Sequence, residues 1–126
     1  MPVVLKIDPQ RRVVYSAFYG SITDEELSGH RSAIAGDPDF NPKFNDIVDF
    51  SDVTEADISE ATIASMAGNA SLFSDSVLHI VVAPTNPMLS LASKFKYLAR
   101  ASRPNFHVVR TRAAAYRLLP EGSKKS

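Results

Sequence analysis

The run Val77-Leu-His-Ile-Val-Val-Ala83 limits what this chain can fold into more than any other stretch. It is too continuously apolar to alternate a buried face with a wet one, so it predicts a β-strand covered on both sides. Strands of that kind belong to sheets that carry helices on their faces. The residues that follow supply such a helix. Asn86 and Pro87 form an N-cap and first-turn pair. From Pro87 to about Ser102, Met88, Leu91, Ala92, Phe95, Leu98 and Ala99 recur at helical spacing.

The remainder of the chain extends the pattern. Residues 3–8 and 12–19 are β-branched and aromatic runs joined by Asp8-Pro9-Gln10-Arg11, which predicts a β-hairpin. Thr23 and Glu26 make a capping box, Leu27, His30, Ala33 and Ile34 supply a buried helical stripe, and Gly36 is placed to stop that helix. A strand at 44–50 then breaks into an acidic turn. A second helix is expected from about Ile58 to Phe73, capped by Thr54 or Asp57. Phe106 to Arg110 reads as a last strand and Arg112 to Leu119 as a last helix, capped by Thr111 and ended by Pro120. Glu121 to Ser126 is a polar tail expected to be disordered.

The resulting order, β-β-α-β-α-β-α-β-α, predicts one α/β domain over residues 1–120. Its sheet is five-stranded, mixed and mainly parallel, with an N-terminal hairpin at one edge and about four helices covering both faces or most of them. Gly20–Thr23, Asp49–Ser59, Pro84–Pro87 and Thr111–Arg112 gather at the carboxyl ends of the strands, where α/β sheets commonly hold ligands.

Composition narrows the function classes. The chain has 14 basic and 14 acidic side chains, so it lacks the basic excess of a nucleic-acid binder. No apolar run reaches membrane-spanning length, and no basic-then-apolar leader opens the chain. With no cysteine there is neither a disulfide nor a thiolate metal site, and a cytoplasmic location is expected. Charge is uneven: residues 1–63 hold five cations and twelve acids, net −7, whereas residues 64–126 hold nine cations and two acids, net +7. Complementary halves, with Tyr15, Tyr19, Phe40 and Tyr97 expected at the surface, suggest a homodimer.

Signals for catalysis are absent from the sequence. His30, His79 and His107 show no metal-ligand spacing and are expected to be packed or surface histidines. The five glycines are isolated, which removes the phosphate-loop patterns, and no Gly-x-Ser-x-Gly elbow exists. No catalytic residue, metal or cofactor is therefore assigned, and an enzyme is not expected. Polar groups concentrate in Asp46 to Glu60. The acids Asp46, Asp49, Asp52, Glu55, Asp57 and Glu60 lack calcium-loop spacing and read as a solvated turn. With Asp57 as cap, Ser59 falls in the first helical turn, where backbone amides and the helix dipole favour a phosphate.

Asp49-Phe50-Ser51-Asp52-Val53-Thr54-Glu55-Ala56-Asp57-Ile58-Ser59 resembles the strand-turn-helix signature of STAS domains. The order of elements is similar to the SpoIIAA-like, anti-sigma-factor antagonist group, which shares its fold with SEC14-like lipid-binding domains. Gly20 to Leu27 and the loop from Phe40 to Asp49 resemble that group as well. The resemblance implies a non-enzymatic regulatory or protein-interaction module with a protein partner such as a kinase-like regulator. Asp57 matches the signature aspartate and Ser59 the phosphorylated serine, while Ile58 and Glu60 depart from the usual serine and glycine. The implied partner- or ligand-binding corner is Asp49, Ser51, Asp52, Thr54, Asp57, Ser59 and Glu60. The alternative is a carrier of a small apolar molecule or lipid, with Lys94, Lys96, Arg100 and Arg103 as an anionic-ligand edge.

Overall fold

β1 (Val3–Asp8) and β2 (Val13–Thr23) form the hairpin, paired antiparallel from Val3 opposite Phe18 to Asp8 opposite Val13. The turn is closed by its own side chain: Asp8 Oδ1 accepts the N–H groups of Gln10 and Arg11 at 3.0 and 3.1 Å. This is a computed structural model, and it describes residues 2–120. The polar tail from Glu121, expected to be disordered, lies outside the described residues. α1 (Asp24–Ala35) starts at Thr23 with the complete capping box and ends at Gly36. Then come β3 (Asn45–Asp57), α2 (Glu60–Gly68), β4 (His79–Val82), α3 (Asn86–Leu98), β5 (Phe106–Val109) and α4 (Arg112–Leu118).

The sheet has the order β1-β2-β3-β4-β5, and every pair after the first is parallel. Three crossovers step in one direction, and right-handed crossovers of that kind put their helices on one face. Packing agrees. Leu27 of α1, Ile63 of α2 and Met88 and Ala92 of α3 join Phe18, Phe50, Val81 and Phe106 in one core. On the opposite face, Ala115 of α4 and Leu119 pack on Val13, Ile47, Ile80 and Val82. Both faces of β4 are thus covered, and all four of its residues are buried, as its apolar run requires.

The expected order holds, but several boundaries move. β2 continues past Gly20 to Thr23, and β3 continues through the expected acidic turn to Asp57, because each supplies the other's hydrogen bonds. Two irregularities in this pairing give β3 extra residues, since Ala17–Thr23 faces Asp49–Asp57. Gly20, at the second of them, has φ +69°, a conformation that suits a residue without Cβ. The cap of α2 is Ser59, not Thr54 or Asp57, and the helix ends at Gly68 with Asn69 as C-cap instead of reaching Phe73. Thr85, not Asn86, caps α3, which stops at Leu98 before Ser102. β4 begins at His79, two residues inside the apolar run.

Candidate functional site

The corner proposed from the sequence is divided between the two faces of the sheet. A regular strand would send Asp49 and Asp52 to opposite sides, yet the extra β3 residues let both reach Arg112 at the start of α4. Asp49 is fully buried. It accepts the Tyr15 hydroxyl, Arg112 Nε at 2.5 Å and the Ser51 N–H at 2.8 Å. Arg112 Nη2 reaches the exposed Asp52 at 2.6 Å. Burial would raise the Asp49 pKa, but its bonds from Ser51, Tyr15 and Arg112 outweigh that and hold it below the ordinary carboxylate value. The Tyr15 phenol is pushed up to about 12, by burial first and then by Asp49. Arg112 is held more firmly protonated by Asp49 and Asp52. This cluster ties β2, β3 and α4 together around the buried Asp49.

Ser59 belongs to the helical face. Its Oγ accepts the Thr62 N–H at 3.1 Å, as an N-cap should, and its own N–H donates to Asp24 Oδ1 at 2.8 Å. That backbone bond is the main cause of a lowered Asp24 pKa. Glu60 pairs with Lys94 of α3 at 2.8 Å, and Lys94 lowers its pKa. Thr54 and Asp57 are exposed on β3.

The expected basic edge is also dispersed. Lys94 is engaged by Glu60, Lys96 is exposed, and Arg100 bonds the Tyr97 carbonyl at 2.7 Å and lies over that ring at 4.2 Å. Of the four, Arg103 lines a cavity on the helix-covered face of the sheet. Tyr19 and Tyr97 are exposed as expected, whereas Tyr15 and Phe40 are half-buried.

The carrier alternative calls for a cavity, and one is present, although its lining was not assigned from the sequence. About 310 Å³ lies between the sheet and α1, α2 and α3. At the carboxyl end of the strands its wall is apolar, with Ile22, Leu27, Phe50, Ile58, Ile63 and Met88. At the amino end it is mixed, with His30, Arg31, Asp46, His79 and Arg103 beside Phe73 and Phe106. Asp46 is the register neighbour of His79, whose Nδ1 donates to Asp46 Oδ2 at 3.1 Å. His30 Nε2 lies 2.5 Å from Ser16 Oγ, and burial lowers its pKa. Arg31 and Arg103 bond the carbonyls of Ala70 and Asn69 at 2.9 and 3.5 Å, holding the segment after α2 across this end. The sequence signal was available: Asp46 and His79 each stand near the amino end of a strand, directly before the apolar pairs Ile47-Val48 and Ile80-Val81. Only their pairing shows that they meet.

A second hollow of about 660 Å³ lies between α4 and the hairpin. Exposed Lys6, Tyr116 and Arg117 line it together with buried Val13, Ile47 and Val82. Among the described residues no group of acids and histidines is arranged to hold a metal ion, and no helix is long and apolar enough to cross a membrane. No family model, curated protein or solved structure matches the chain.

Proposed function

We propose that this chain is a non-enzymatic binding module of STAS-like type whose helix-side cavity takes a small, mostly apolar molecule. The observation that carries the reading is the cavity itself. Its 310 Å³ falls near the lower end of the ~300–1,000 Å³ range of small-molecule sites. Its lining, mostly apolar with the charged side chains and histidines at one end, is that of an orienting pocket. The size narrows the carrier alternative: a compact ligand suits the space, and a two-chain lipid does not. Titration with 1-methylindole, a neutral apolar bicycle, is expected to give saturable one-to-one binding by calorimetry. Absence of saturable binding up to its solubility limit sinks the reading.

The regulatory alternative acts through Ser59, and one observation favours it: the residue is exposed at a helix start, open to a protein partner such as a kinase. Asp24, on its N–H, and Glu60 would both repel a phosphate there. Incubation with candidate kinases followed by mass-spectrometric mapping is expected to place any phosphate on Ser59. Modification only at other residues removes this alternative.

A further inference from the structure

Asp46, His79 and Phe106 form a row across β3, β4 and β5, each the register neighbour of the next. The row sits at the mixed end of the cavity. One carboxylate oxygen, Asp46 Oδ2, receives His79 Nδ1. The other, Oδ1, is buried and has no hydrogen-bond partner among the described residues. Leaving a buried carboxylate oxygen without a donor is costly, and a ligand that supplies one recovers that cost.

The surroundings specify the rest of the ligand. Phe73 meets His79 edge-on with ring centres 5.2 Å apart, Phe106 stacks on His79 at 6.0 Å, and Phe95 lies 5.5 Å from Phe106. Rings of this kind favour an aromatic guest over an aliphatic one, through stacked and edge-to-face contacts. Charge narrows it further. Arg31 and Arg103 line the same end, and Arg103 lies in the field of both Asp46 and Arg31. An ammonium group would meet these guanidiniums, and a carboxylate would meet Asp46. A neutral donor meets neither penalty.

The geometry points to a neutral aromatic ligand of bicyclic size that places one N–H or O–H on Asp46 Oδ1 and its rings among Phe73, His79, Phe95 and Phe106. This rests on the cavity reading above and adds the chemistry of the anchor. Hydrogen bonding to a charged acceptor favours the ligand that can donate, so indole is expected to bind at least about tenfold more tightly than 1-methylindole. The chain contains no tryptophan, so the fluorescence of either ligand is read without that background. In Asp46→Leu the preference is expected to vanish. Asp46→Asn, which keeps an acceptor oxygen, is expected to retain part of it. Equal affinity of the two ligands for the unaltered protein overturns the anchor and leaves the cavity reading standing. A preference that persists in a folded Asp46→Leu protein also overturns it. Binding of neither ligand overturns both. The comparison in the unaltered protein decides the matter even if the variants do not fold.

Discussion

Replacing Asp49 with alanine is expected to destabilise the fold by about 3 kcal/mol, a fall of roughly 10 °C in Tm for a domain of this size. The side chain is fully buried and is the acceptor on which Tyr15, Arg112 and the Ser51 N–H converge. Its removal leaves a half-buried hydroxyl and a backbone N–H without their acceptor. Arg112 is half-exposed and can be hydrated, which limits the loss. Thermal unfolding followed by circular dichroism checks the magnitude. A loss below about 1 kcal/mol would mean that the cluster is replaceable by water.

The same cluster sets two pH dependences of opposite sign. Asp49 has a folded pKa below its unfolded value, ordinarily about 3.9. Its contribution is therefore complete above that value and is lost as pH falls toward the folded pKa. Tyr15 is the reverse case. Its folded pKa, about 12, exceeds the unfolded value of 10.0, so its contribution is complete below pH 10 and is lost as pH rises toward 12. Tyr15→Phe is expected to flatten the alkaline limb between pH 10 and 12 and to shrink the acid limb without abolishing it, because Ser51 and Arg112 still hold Asp49. Chemical unfolding across both limbs distinguishes the two groups.

Ala92→Phe is expected to abolish binding of 1-methylindole, by more than about 100-fold, while the fold is retained. Ala92 is buried on the sheet-facing side of α3 and lines the cavity. A benzyl group in its place occupies space the ligand needs. Core overpacking usually costs ~1–3 kcal/mol because neighbours must move. Here the added ring enters existing space, so stability is expected to change by less than about 1 kcal/mol in either direction. Calorimetry and thermal unfolding on the same sample test both halves. Retained binding would place the ligand outside the cavity.

What was legible in the sequence was whatever depends on near neighbours along the chain. The capping box at Thr23, the hairpin turn at Asp8, the covered strand before Ala83 and the order of elements are all set within a few residues. Hydrophobic period and turn chemistry encode such features directly. The corner at Asp46 to Glu60 was legible as polar, but not in its form. Whether residues 51–57 make a turn or extend a strand depends on the partner that supplies their hydrogen bonds, and that partner is the far end of β2. Tertiary structure alone decided the rest. The regular pairing of β2 with β3 put Asp49 on the face of Tyr15 and Arg112, residues 34 and 63 positions away in the chain, and the irregular pairing beyond it let Asp52 reach Arg112 as well. It also set Asp46 beside His79 and left a cavity under three helices whose sequence stripes looked like ordinary core. Side-chain period tells a helix which face to bury; how closely that face approaches the sheet follows only from packing the whole chain.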